Sequence, residues 1–211
     1  MTITDTPVRA RGLSRKVKAI LAGGLVLGIG TAVTLAAWND SEFASGQFAA
    51  GTFNLQGSTT SGIAGFADHA SVGAAAVVFD LADYDNVSPD EVLYEPFWVR
   101  LAANTTSAAT LNLAGITPGA GGNEANFSYE VYRLAAVDTL CDAAGVLAGT
   151  LIGSGATLSA FTAEAPSTLT IGAPTTDPGA ALNLCFVVTA EGTLVQGLGA
   201  STTWELEAVS N

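Results

Sequence analysis

Along several short stretches of this 211-residue chain, apolar and polar positions alternate with a period of two, and turn-forming residues separate the stretches. Successive side chains of a strand point to opposite faces, so this pattern predicts half-buried β-strands. Glu91–Ala103 sets Val92, Tyr94, Pro96, Trp98 and Arg100 against Leu93, Glu95, Phe97, Val99 and Leu101. Pro96 has no amide donor, which predicts an edge position or a bulge there. Asn126–Leu134 sets Phe127, Tyr129, Val131 and Arg133 against Ser128, Glu130, Tyr132 and Leu134. In Ser201–Val209, Thr203, Glu205 and Glu207 form an acidic face, and Thr202, Trp204, Leu206 and Ala208 form a face that packs. Ala74–Phe79 and Ala181–Thr189 are apolar almost throughout and predict core strands. Ala108–Ile116 adds a strand with Leu111, Leu113 and Ile116 as core candidates, and Thr168–Ile171 adds a short one. Thr117–Asn123 is a Pro- and Gly-rich break, and Asp138–Thr157 reads as an excursion among Gly and Ala residues. About seven to nine short strands, with no amphipathic helix after residue 37, predict an all-β fold: a two-sheet sandwich or jelly roll.

The N-terminal region follows a different pattern. Arg9, Arg11, Arg15, Lys16 and Lys18 precede an apolar run, Ala19–Ala37, whose only polar members are Thr31 and Thr34. That is a signal-peptide pattern over residues 1–37, with cleavage after Ala36-Ala37 leaving Trp38 first. An uncleaved anchor is the other reading, since about 20 apolar residues span a bilayer; Gly23, Gly24, Gly28 and Gly30 weaken such a helix. Only this segment would touch a membrane. Residues 38–56 then repeat themselves, Phe43-Ala44-Ser45-Gly46-Gln47 being followed by Phe48-Ala49-Ala50-Gly51-Thr52 and by Phe53 and Leu55. A five-residue step flips the face of an ideal strand, and the glycines offer bulges that restore one face. Two readings stay open for this segment. It is the first strand of its own sheet, or it leaves its domain and adds to another subunit's edge. The domain itself spans 57–211, and Gly57–Gly73, rich in Ser, Thr, Gly and Ala, reads as a loop that gives the segment reach.

The stretch from Ala36-Ala37 through Trp38-Asn39-Asp40 to Phe43, Gly46, Phe48, Gly51, Phe53 and Leu55, placed after a Gly-rich apolar run, resembles the TasA/camelysin family. Members of that family are secreted matrix proteins cut by a signal peptidase of the SipW type. The resemblance covers about the first quarter of the chain. It implies secretion, a jelly-roll-like domain and, as in the best-known members, assembly into extracellular fibres by strand exchange. Some camelysin-type members are described as metallopeptidases. His69 is the only histidine of this chain, so a His-Glu-x-x-His zinc helix cannot be built.

Charge narrows the partners. Five of the seven basic residues lie within 1–37, leaving Arg100 and Arg133 against eighteen of the nineteen acids, a charge near −16. Nucleic acid and anionic lipid are poor partners for such a surface. The region after residue 37 has no lysine, the usual nucleophile of isopeptide cross-links, so covalent wall attachment is not expected. Cys141 and Cys185 are the only cysteines and in an exported chain predict one disulfide, with two buried thiols as the alternative. Closing that loop would stabilise the fold by about 4 kcal/mol.

No cofactor is called for, and the only metal candidate is the acidic turn formed by Asp80, Asp83, Asp85, Asn86, Asp90 and Glu91. It supplies hard oxygen ligands of the kind calcium needs, about six to eight in number. Its spacing fits no EF-hand loop, and a solvated acidic loop is the plainer reading. Asp68-His69 lacks a Gly-x-Ser-x-Gly elbow, so no enzyme is expected. The sequence therefore points to a secreted structural subunit that polymerises with itself through Trp38–Leu55. The alternative is a monomeric surface module that binds a glycan or protein through Tyr84, Tyr94 or Trp98.

Overall fold

In the computed structural model, residues 16–21, 50–69 and 87–211 are described. The expectations at Ala36, Ala37, Trp38, Phe43, Gly46, Phe48, Ala74–Phe79, Asp80, Asp83, Asp85 and Asn86 fall outside them. The chain divides into two units, Met1–Phe48 and Ala49–Asn211. Residues 16–21 of the first are helical, and no described helix is long and apolar enough to cross a membrane. Among the described residues, the strands of the second are β1 (Leu55–Ser58), β2 (Val92–Leu101), β3 (Ala109–Pro118), β4 (Phe127–Arg133), β5 (Thr150–Gly155), β6 (Thr162–Ala163), β7 (Ser167–Leu169), β8 (Leu182–Ala190) and β9 (Thr202–Ser210). They form a six-stranded sheet, in the order β1-β2-β8-β4-β5-β6, and a three-stranded sheet, in the order β7-β3-β9. Every strand pairing is antiparallel.

The alternating stretches supply the core. Phe97, Val99 and Leu101 of β2, Phe127, Tyr129 and Val131 of β4, and Leu184 and Phe186 of β8 pack with Ala109, Leu111 and Leu113 of β3 and Leu169 of β7. Residues of both sheets thus share one buried layer, which makes the unit an all-β two-sheet sandwich. Trp204 of β9 closes the layer, its ring 5.6 Å from that of Tyr129 and 4.9 Å from that of Phe186. Centroid separations of this size suit edge-on and tilted aromatic pairs.

The central strand β8 lacks alternation because both of its faces are covered. Leu184 and Phe186 point into the sandwich, while Cys185 and Val187 pack with Leu134, Tyr94, Tyr132, Cys141 and Val146 on the opposite face. The excursion after β4 supplies that cover, and the Cys141–Cys185 disulfide fastens it to β8 with a Cα–Cα separation of 5.2 Å. Asp142 caps a one-turn helix, Ala143–Val146, by accepting from the amides of Ala144 and Gly145. The last part of the excursion, read from sequence as irregular, is the strand β5. Its glycines are packing residues: a Cβ on Gly153 would collide with the Leu113 side chain, and one on Gly155 with the Tyr129 ring and the Ala160 carbonyl.

Pro96 lies inside β2 opposite Cys185, between two paired strands. The register explains why it is tolerated. Ala102 N–H donates to the Asn54 carbonyl at 2.9 Å, so the even-numbered amides of β2 point towards β1. The β1 ladder ends at the Ser58–Trp98 pair, and the nitrogen of Pro96 falls beyond it.

Candidate interaction surface

The chain enters the sandwich along β2. Thr106 N–H donates to the Thr52 carbonyl at 3.0 Å and Ala102 N–H to the Asn54 carbonyl, after which β1 pairs from Leu55–Leu101 to Ser58–Trp98. Thr52 Oγ1 also donates to the Asn104 carbonyl. Of the positions expected to form an intersubunit strand, Gly51, Phe53 and Leu55 therefore lie along the chain's own β2. Gly51 leaves the room that Thr106 Oγ1 occupies, Phe53 is 41 % exposed, and Leu55 packs against the core.

After β1 the chain doubles back. Ser58 Oγ accepts from the Thr60 amide at 3.0 Å and donates to the Ala64 carbonyl at 2.6 Å, which folds residues 58–64 into a tight loop. Gly65 turns the chain with φ 77°, a left-handed conformation that suits glycine. Gly57 and Ala67 then exchange amide hydrogen bonds of 3.0 Å, and Asn54 Nδ2 donates to Asp68 Oδ1 at 2.9 Å. A Cβ on Gly57 would collide with the Phe97 ring, so this position brings the hairpin down onto the core.

The returning loop lies over the outer face of β2. Gly62 meets the Trp98 ring and Val137, and the Phe66 ring lies 3.9 Å from the Arg100 guanidinium. Trp98 Nε1 donates to the Val137 carbonyl at 2.9 Å, and Asn183 Nδ2 donates to the carbonyls of Val137 and Thr139. Two loops thus meet above Trp98, and Tyr94 and Trp98 are half-buried. Ile63, Val137, Leu140 and Leu147 are among the exposed apolar side chains of these two loops.

Of the acidic turn, Asp90 and Glu91 are described. The Glu91 carboxylate accepts the Ser88 amide at 2.7 Å, and Asp90 has φ 65° with its amide bonded to the Ala190 carbonyl. Among the described residues, no group of three or more His, Cys, Asp and Glu side chains is placed to hold a metal ion. A shallow depression of about 410 Å³ lies near Ser128, Glu130, Ser154 and Thr189.

A second clasp holds the loop that leads into β9. Gly121 and Gly122 amides donate to the Glu124 carboxylate at 2.5 and 2.7 Å. The backbone N–H of Glu124 itself and those of Gly121 and Gly122 hold this carboxyl below the usual carboxylate range, outweighing the opposing effect of desolvation. Neighbouring Asn123 donates to the carbonyls of Val195 and Leu198 and accepts the Val195 amide at 3.0 Å. Nothing in the sequence singled out Asn123 and Glu124. The backbone partners of the Asn123 side chain lie 72 and 75 residues away, those of Glu124 are the amides of the Gly-rich break before it, and only that break gave a local sign.

Compared with known proteins, the chain matches no family model and no curated protein sequence.

Proposed function

We propose that the chain is a secreted structural subunit of an extracellular filament or biofilm-type matrix, joined to its neighbours by the segment that precedes β1. The observation that carries this reading is the position of that segment. It follows an export-type sequence and leads directly into a short strand at one side of the six-stranded sheet. Four residues of β1, together with Thr52 and Asn54, hold it to β2. So short a ladder is exchanged more readily between copies than a central strand is. Backbone hydrogen bonds would supply affinity, and Phe43, Phe48 and Phe53 would fill the acceptor's grooves. A head-to-tail contact of this kind does not close on itself and propagates into a filament. A peptidase of the SipW type would release the chain after Ala37, in keeping with the resemblance to the TasA/camelysin family. The disulfide fits an oxidising destination outside the cytoplasm.

Electron microscopy of the exported chain from Trp38, beside a chain lacking Trp38–Ala49, tests the reading. The deletion leaves Thr52–Ser58 in place, so the sandwich keeps its edge. Filaments from the longer chain and none from the shorter are expected. Dispersed particles from both would end the structural reading.

A further inference from the structure

Arg100 and Arg133 are the only cations of the chain after residue 37, set against eighteen acids, yet neither has a carboxylate within ion-pair distance among the described residues. Arg133 spends Nη2 on Thr150 Oγ1 at 3.1 Å. In both arginines Nε is buried without a hydrogen-bond partner among the described residues; Arg100 differs in that the Phe66 ring stacks 3.9 Å from its guanidinium carbon. Burial lowers the basicity of this guanidinium. Its Nε lacks an acceptor while the ring holds the guanidinium plane in place, and a carboxylate is the acceptor that matches the geometry of such a fork.

The surroundings narrow the occupant. Trp98 and Arg100 are two residues apart on one face of β2, and the loop carrying Gly62, Ile63 and Phe66 runs over both. Ile63 is 88 % exposed and Val137 39 % exposed, so an apolar strip lies beside the single stacked cation. A matching ligand carries carboxylates flanked by aromatic residues. The segment Trp38-Asn39-Asp40-Ser41-Glu42-Phe43 has that composition.

We propose that Arg100, beneath Phe66, is the receptor for a carboxylate of the Asp40–Glu42 stretch of a second copy of this chain, with Trp38 and Phe43 of that copy on the Ile63–Val137 strip. This rests on the reading that the N-terminal segment passes between copies, and it adds the contact that fixes where the segment docks. Among eighteen repelling acids, one cation–carboxylate pair sets orientation as well as attraction.

The test is sedimentation of the exported chain from Trp38 at neutral pH and moderate ionic strength, where repulsion between the acidic copies is screened, with unfolding midpoints measured for each variant to confirm folding. Arg100→Gln is expected to weaken self-association about tenfold. Arg100→Lys should recover part of it, because a point charge lacks the fork. Arg100→Glu alone and Asp40→Arg/Glu42→Arg alone should each fail to associate, whereas an equimolar mixture of the two should associate. Unchanged association in Arg100→Gln, no recovery in the mixture, or no self-association of the parent chain would each overturn the inference. Arg100-dependent pairing without filaments would sink the filament reading and leave this contact standing. Filaments indifferent to Arg100 would do the reverse.

Discussion

Gly153 has no room for a side chain, because β5 crosses the sandwich where Leu113 of β3 stands against it. Replacing it with valine forces Leu113 off its rotamer or β5 off its ladder. A loss of about 1–3 kcal/mol is expected in a urea titration. The same glycines concealed β5 in the sequence, where Gly and Ser read as turn formers. Their function is visible only once the opposite sheet is in place. Cys141 and Cys185 were legible as a disulfide because they are the only two cysteines and follow an export-type sequence. Cys141→Ser should cost about 2–4 kcal/mol and expose the outer cluster of Tyr94, Tyr132 and Val187 to a hydrophobic dye. Equal urea midpoints for the variant and the parent chain would mean that the loop stays down without its bond.

At the scale of elements, the strands that announced themselves are those with one wet and one dry face. β4 and β9 alternate in sequence as they do in the fold, with Tyr129 and Trp204 inward and Glu130 and Glu205 outward. Short strands such as β6, two residues long, left no periodic trace because a period cannot show in two positions. The clasp around Glu124 was equally silent, since backbone amides have no signature in sequence. It carries a pH dependence whose sign follows from its acceptors. The folded carboxyl titrates below its ordinary value of 4.5, so the ionised form is the one the fold prefers. Its stabilisation is complete above the unfolded value and disappears as pH falls through the lower, folded one. Thermal unfolding followed between neutral pH and pH ~3 should show Glu124→Gln with a flatter acid limb than the parent chain. Identical limbs would locate the acid sensitivity elsewhere. Because Asn123 and Glu124 hold residues 195–201, the loss should appear first as faster amide exchange at the entry to β9.

For the whole molecule, charge and shape act against each other. The residues after 37 sum to a charge near −16, which repels copies of the chain, and the outward face of β9 carries Glu205 and Glu207, both exposed, along a nine-residue strand. Such charges on a strand guard it against unplanned pairing. Association should therefore quicken at high ionic strength or below about pH 4, where carboxylates gain protons. Light scattering across a salt and pH grid measures this, and a flat response would mean that repulsion between subunits is not what limits assembly.

The proline of β2 sets a length as well as a position. A strand lying beside β2 in the lane of β1 finds amides at Trp98, Arg100 and Ala102, and then a residue with nothing to donate. Whichever copy supplies that strand, its ladder stops in the same place. If copies exchange strands in this lane, Pro96 would act as an end stop: it would favour a short, single-register joint over a long one that slips, and subunits linked through it would repeat at one fixed spacing.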